Sequence, residues 1–202
     1  MGRQVVLATK NRKKLEELHR ILAAEGLDVE LLGIDAFPDL PDVPETESSF
    51  AGNALLKARE IARITGLPAV ADDSGLCVDA LNGMPGILSA RWAGRHGDDA
   101  ANLDLVLGQL SDIPDRRRTA AFRCAAAVAL PDGTERVVEG SIDGALIREP
   151  RGANGFGYDP IFVPLGYRVT TAEMTPEEKD AISHRGQAMR ALAPVLKDLL
   201  EA

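Results

Sequence analysis

The chain has 202 residues, 45% of them hydrophobic, and a net charge of -8, so it is large enough for a substantial core, and one domain over 1–202 is expected. The acidic balance argues against broad capture of nucleic acid or an anionic membrane, both of which need a cationic field. No apolar run approaches the roughly 20 residues of a bilayer span. Cys77 and Cys124 lie among apolar residues without neighbouring histidines, and no secretory signal precedes Arg3, so buried structural thiols in a reducing cytoplasm are expected.

Val5 to Ala8 reads as a short buried strand, followed by the polar turn Thr9-Lys10-Asn11 and a helix with its apolar face on Leu15, Leu18, Ile21 and Leu22. Asp28 to Ile34 is a second strand. The acidic piece Phe37 to Glu47, with Pro38, Pro41 and Pro44 and no period, is a long loop. Ser49 is the expected N-cap of a helix through Phe50, Ala54, Ala58, Ile61 and Ala62 to Gly66, after which Pro68 introduces a strand. That strand is expected to end in an active-site loop at Asp72-Asp73-Ser74-Gly75. Asn82 to Gly97 reads as a loop, and Asp98 to Leu110 as a helix through Leu103, Val106, Leu107 and Leu110. Thr119 to Leu130 and Glu135 to Ile147 flank the turn Pro131-Asp132-Gly133 and form a hairpin. A glycine-rich loop, Arg151 to Tyr158, leads into the strand Ile161-Phe162-Val163. Thr175-Pro176-Glu177-Glu178 is a capping box that opens a long terminal helix. The sum is an α/β fold with helices on both faces of a sheet.

Two adjacent acids repel one another and resist burial, so Asp72-Asp73 at the mouth of a core points to a bound cation and to magnesium chemistry on a phosphate. The alternative is an ordinary Asp-Gly turn whose side chains cap backbone amides. Thr9 to Lys14 lies between a strand and a helix, where free N–H groups favour an anion, and adds the four cations Lys10, Arg12, Lys13 and Lys14. It lacks the glycines of a Walker A loop, and a basic helix start also suits a solvated face. Lys57, a lone lysine on an amphipathic helix, is expected to be exposed. Gly152 to Pro160 combines glycines, two aromatics and an acid, which lets the backbone approach a ligand while a ring stacks on a base; a structural turn with Phe156 in the core is the alternative. Ser183-His184-Arg185 falls mid-helix, where three successive donors cannot share a face without a kink near Gly186 or a helix edge over the site.

In chain order, Thr9-Lys10-Asn11 with Lys14, Ser49-Phe50 with Asn53-Ala54 and Lys57-Ala58, Ala71 to Leu76, Pro85-Gly86 with Ser89-Ala90-Arg91, Gly155 to Pro160, and Ser183-His184-Arg185 closely resemble the inosine/xanthosine triphosphate pyrophosphatase family. The blocks extend from residue 5 to about residue 190. The resemblance implies a mixed central sheet with flanking helices, two lobes around an active-site cleft, a homodimer, Mg2+ dependence, and hydrolysis of ITP, dITP and XTP to the monophosphate and pyrophosphate.

By that resemblance Asp73 activates the attacking water and engages magnesium, with Asp72 in support. Because successive strand residues point to opposite faces, one principal carboxylate is expected. Glu45 matches the other metal-binding acid, although Glu45-Thr46-Glu47 stands where Glu-Thr-Gly is usual, so either glutamate can serve. Thr9, Lys10, Asn11, Arg12, Lys13, Lys14 and Lys57 would hold phosphates, and Ser74 would contact substrate. Phe156, Gly157, Tyr158, Asp159, Lys179, His184 and Arg185 would enclose the nucleoside. Lys10 replaces a glycine of some members, and Leu88 stands where an aromatic is common. A donor pair at His184 and Arg185 would donate to a 6-keto oxygen and reject the amino group of adenine. Rival readings are a non-catalytic nucleotide sensor, disfavoured by carboxylates that repel phosphate, and a general phosphatase, which would release orthophosphate.

Overall fold

The computed structural model describes residues 3–26, 29–38 and 40–201. Along the chain run β1 (Arg3–Leu7), α1 (Arg12–Ala24), β2 (Val29–Gly33), α2 (Phe50–Thr65), β3 (Ala69–Val78), β4 (Met84–Pro85), α3 (Asp99–Gln109), β5 (Thr119–Ala129), β6 (Glu135–Leu146), β7 (Phe162–Pro164), α4 (Pro176–Ile182) and α5 (His184–Glu201). The sheet order is β2-β1-β3-β5-β6-β7, with β4 paired to β3. β1 lies parallel to β2 and to β3, whereas β3 with β4 and β6 with β7 are antiparallel, so the α/β fold with a mixed sheet is present. Asp28, expected to open the second strand, lies outside the described residues. The chain forms two compact units, Met1–Asp73 with Cys124–Gly140 and Arg185–Ala202, and Ser74–Arg123 with Ser141–His184.

In the first unit the period of two along each strand sorts side chains into two cores. Val5, Leu7, Val70, Ala126 and Val128 meet Leu18, Ile21 and Leu22 of α1 and Met189, Leu192 and Leu196 of α5. On the opposite face Val6, Ala69, Ala71, Ala125, Ala127 and Ala129 meet Ala54, Ala58, Ile61 and Ala62 of α2. Small side chains on both partners let α2 sit close to the strands. Each fully buried leucine or isoleucine contributes roughly 1.5–3 kcal/mol. The helix starts follow local chemistry: the Asn11 side chain accepts the Lys13 and Lys14 amides at 3.0 and 3.2 Å, and Ser49 accepts the Gly52 amide at 3.1 Å.

In the second unit Leu76 and Val78 of β3 pack with Leu103, Val106 and Leu110 of α3, with Phe122, Leu146 and Phe162, and with Tyr158 and Ile161. Arg118 is buried and donates to the carbonyls of Leu110, Leu146 and Ile147 at 2.7, 2.9 and 3.1 Å, joining the end of α3 to the end of β6. Thr175 and Glu178 form the expected reciprocal cap of α4.

Three expectations are corrected. β3 does not end in a loop at the acidic pair but runs on through Asp72 and Asp73 to Val78, because Leu76 and Val78 keep the inward alternation and the two acids bond to side chains from elsewhere instead of capping their own backbone. The Asn82 to Gly97 loop contains β4, in register with Cys77 and Val78. The terminal helix is broken: Ser183 is extended (ψ 155°) at the end of α4, and α5 restarts at His184, two residues before Gly186, so a full break stands where a kink near Gly186 or a helix edge is expected.

Gly75 marks the point where β3 meets the turn after β4. A Cβ there would fall 2.3 Å from the Gly86 carbonyl oxygen and 2.4 Å from Ser89 Oγ, and the serine is held by accepting the Leu76 amide at 2.9 Å and donating to the Gly86 carbonyl at 2.6 Å. Gly75→Ala is therefore expected to destabilise by about 1–3 kcal/mol through overpacking, read as a lower urea midpoint with an unchanged m-value.

Candidate active site

In the first unit the site grows from the strand rule. Asp72 shares the α1 and α5 side of β3 with Val70, while Asp73 shares the α2 side with Ala69 and Ala71. Lys14 Nζ and Arg185 Nε both donate to Asp72 Oδ2 at 3.1 Å, and Arg185 Nη1 donates to Glu17 Oε2 at 2.5 Å. All but Lys14 of this group are almost fully buried. Burial alone would raise the Asp72 pKa, but Lys14, Arg185 and Lys57 together hold it well below the usual carboxylate range.

Asp73 has a different environment. Its Oδ2 accepts Asn53 Nδ2 at 3.1 Å, and Lys57 Nζ lies 3.5 Å from Oδ1. The same ammonium donates to Glu45 Oε1 at 3.0 Å and to the Asp72 carbonyl at 2.7 Å. Asn53 Oδ1 also accepts the Glu47 amide at 2.9 Å, which ties the loop bearing Glu45 to the acid. Burial pushes the Asp73 pKa up, and the Glu45 charge adds to that, against Lys57, Lys14 and the Asn53 bond. Burial would depress Lys57, but Asp73, Asp72 and Glu45 raise its pKa instead.

In the second unit the glycine loop is built around Asp159, which is buried. Its Oδ2 accepts the Phe156 amide at 2.8 Å and Lys179 Nζ at 2.6 Å, while Oδ1 accepts Thr171 Oγ1 at 2.8 Å. The Lys179 ammonium lies 5.0 Å from the centroid of the half-buried Phe156 ring. Tyr158 is buried and donates to the Ser89 carbonyl at 2.9 Å. His184 stacks on Phe122 with ring centroids 4.8 Å apart and planes 9° apart.

The structure therefore separates the sequence candidates by environment. Asp73, Glu45 and Lys57 come together, and Lys57 is largely buried, not exposed as a lone lysine would be. Of Glu45 and Glu47, the first reaches this cluster and the second is exposed. Among the cations of the first turn, Lys14 reaches Asp72; Lys10 pairs with exposed Asp42, and Arg12 and Lys13 are exposed. Thr9 Oγ1 accepts the Asn11 amide at 3.2 Å, so both shape the turn. Ser74 and Gly157 are half-buried. Arg185 is committed to Asp72 and Glu17, and Tyr158 and Asp159 face inward to brace the loop that carries Phe156. Sequence reasoning missed Glu17 and Phe122 and gave Asn53 no role beyond its place in the motif. Two of them left a signal: Glu17 stands three residues from Lys14 on the apolar stripe with Leu18 and Ile21, and Asn53 stands four from Lys57, so each is a polar group on a helix face that needs a partner.

Asp73 and Glu45 are two hard carboxylate donors on either side of the Lys57 ammonium, of the kind that could hold a divalent cation. Among the described residues no group of three or more His, Cys, Asp or Glu stands ready to hold a metal alone.

The two acids are expected to respond oppositely to loss of charge. Asp72→Asn removes the carboxylate that Lys14 and Arg185 share and leaves more buried positive than negative charge, and should cost about 3–5 kcal/mol in a denaturant titration. Asp73→Asn removes a charge that the fold disfavours and leaves Lys57 bonded to Glu45 and the Asp72 carbonyl, so its melting temperature should equal or exceed that of the parent at neutral pH. In linkage terms, Asp72 contributes stability that is lost as pH falls below 3.8, whereas the contribution of Asp73 is present at low pH and lost as pH rises through its elevated value.

The Ham1 family profile matches residues 5–195. The chain is 64% identical to the dITP/XTP pyrophosphatase of Streptomyces coelicolor over 98% of each chain, and 60% identical to that of Mycobacteroides abscessus over 98% of this chain and 96% of the other. A crystal structure titled nucleoside-triphosphatase / dITP/XTP pyrophosphatase from Mycobacterium abscessus superposes with a TM-score of 0.77 at 60% identity, covering 95% of this chain and 99% of the other. A HAM1 protein from Coxiella burnetii superposes with a TM-score of 0.87 at 43% identity, covering 97% and 99%. With a family match across nearly its whole length and relatives this similar end to end, the chain belongs to the Ham1 family.

Proposed function

We propose that this protein hydrolyses non-standard purine nucleoside triphosphates, dITP, ITP and XTP, to the monophosphate and pyrophosphate. The observation that carries the reading is the cluster of Asp73, Glu45 and Lys57: an acid of raised pKa beside a second acid and a buried cation, in a chain whose relatives are named for this reaction. Magnesium bound at the two acids would draw charge from the phosphate oxygens.

The protein's own groups account for the rest. Lys14 and Lys57 meet the phosphate chain as its negative charge shifts toward the leaving group. Asp73 orients a water toward the α-phosphorus and takes its proton; the new P–O bond forms as the bond to the β-phosphate oxygen breaks, and pyrophosphate leaves with the electron pair. A raised pKa suits an acid that must hold a proton during this step. Arg185 holds Asp72 in place and keeps Lys14 near it. Phe156 and Lys179 face the nucleoside, and His184, set by the Phe122 ring, donates to the 6-keto oxygen. Adenine presents an amino donor there and leaves two donors opposed.

The same reading includes a homodimer, supported by the family resemblance, and a cytoplasmic location, supported by two free thiols. No helix among the described residues is long and apolar enough to cross a membrane. Sedimentation equilibrium is expected to return twice the chain mass of 21.5 kDa, and a single-chain mass would refute the dimer.

A pyrophosphate-release panel with magnesium tests the activity. ITP, dITP and XTP are expected to turn over far faster than ATP or GTP, and Asp73→Asn to lose about 10²–10⁴-fold in kcat while remaining folded. Release of orthophosphate, or equal rates across purines, would overturn the proposal.

A further inference from the structure

Asp98 and Asp99 open α3 as adjacent acids, and the helix cap needs one of them. The Asp98 carboxylate is the N-cap and accepts the Ala101 amide at 3.2 Å. Asp99 turns elsewhere: its Oδ2 accepts the Gly157 amide at 2.9 Å, across 58 positions of sequence. The preceding amide, Phe156 N–H, is held by Asp159 Oδ2 at 2.8 Å. These two amides belong to the peptide planes on either side of the Phe156 Cα. Fixing one plane leaves the other free to rotate; fixing both sets φ and ψ of Phe156 and with them the direction of its Cα–Cβ bond. The Asp159 tether is itself braced by Lys179 and Thr171; in the second plane the Phe156 carbonyl accepts the Asp159 amide at 3.2 Å, and Asp99 holds the other edge at the Gly157 amide.

We infer that Asp99 is a positioning residue for base recognition, holding the Gly157 amide so that the Phe156 ring is presented at a fixed angle to the nucleobase of a 6-oxopurine nucleotide. The inference rests on the proposed function, which assigns Phe156 to the nucleoside. Asp99 makes its contribution through the loop backbone without touching the substrate. Because Asp98 retains the cap, loss of the Asp99 carboxylate leaves the helix start intact.

The test compares the full-length parent, Asp99→Ala and Asp99→Asn by steady-state pyrophosphate release from ITP and by hydrogen exchange of the Gly157 amide. Asp99→Ala is expected to raise KM for ITP about tenfold, the loss of about 1.4 kcal/mol of binding, with kcat within about twofold of the parent and faster exchange at Gly157. Asp99→Asn keeps an oxygen acceptor and should restore both KM and protection. Faster exchange with an unchanged KM would overturn the inference by making the tether structural alone, as would unchanged exchange in Asp99→Ala or an asparagine variant that behaves like alanine. A parent protein that releases no pyrophosphate from ITP would overturn the functional reading itself, distinguishable because exchange at Gly157 would still separate the variants.

Discussion

A β-strand sends consecutive side chains to opposite faces, and from that constraint Asp72 and Asp73 acquire unlike chemistry. Asp72 meets two cations, each at 3.1 Å. At an effective dielectric near 20, a pair at that distance interacts with roughly 5 kcal/mol, so two of them outweigh a desolvation penalty of several kcal/mol. Asp73 meets a neutral amide and one ammonium at 3.5 Å, and that ammonium is closer to Glu45. Lys57, shared with Glu45, and Lys14 together do not offset burial, and the acid is left with a raised pKa. One carboxylate is thereby a fixed anion that organises its neighbours, and the other is an acid whose charge the fold tolerates poorly. A reactive group of the second kind is what metal-assisted phosphoryl chemistry uses.

The cost of holding Asp73 charged is spread through the first unit. Asn53 spends its amide nitrogen on Asp73 and its oxygen on the Glu47 amide, so one side chain both steadies the acid and folds the acidic loop back over α2. Lys57, one turn further along the same helix, bonds a main-chain carbonyl as well as Glu45, which fixes its ammonium without requiring Asp73 to supply a full ion pair. The polar stripe Asn53 and Lys57 thus lies on the first half of a helix whose fully buried apolar residues are alanines and an isoleucine, with Phe50 and Leu55 partly buried beside them. Apolar packing sets the position of α2, and the stripe uses that position.

Where structure follows from neighbouring residues, the sequence is legible: Ser49 and Thr175 cap the helices that follow them, and Pro131-Asp132-Gly133 turns the hairpin. Where it follows from partners distant in sequence, it is not. Asp72-Asp73-Ser74-Gly75 has the composition of a turn, and only the side chains of Lys14, Asn53 and Arg185 show why its acids do not cap their own backbone. The break at Ser183 has no proline or glycine to announce it, and Arg185 just beyond is committed to Asp72 and Glu17, a demand absent from any local pattern. Lys57 read alone is a surface lysine; its burial is a consequence of three carboxylate-bearing residues brought to it by the fold. That Glu45 and not Glu47 reaches Lys57 follows from the loop geometry that Asn53 imposes, which the run Glu45-Thr46-Glu47 does not reveal by itself.

The glycine loop shows the same dependence of a reading on tertiary partners. Three glycines near aromatics suggest a backbone cleared for a ligand. At Gly155 the cleared space is filled from within: a Cβ there would fall 2.1 Å from Asp159 Oδ2, and the backbone sits at φ +71°, where a side chain is also strained. Gly155 therefore makes room for the carboxylate that captures the Phe156 amide, Lys179 and Thr171. The loop folds onto its own acid, which consumes the polar groups of Asp159, while Tyr158 turns inward to Ser89. On this loop the half-buried Phe156 ring lies beside the Lys179 ammonium, an arrangement of ring and cation that the Asp159 hydrogen bonds hold together.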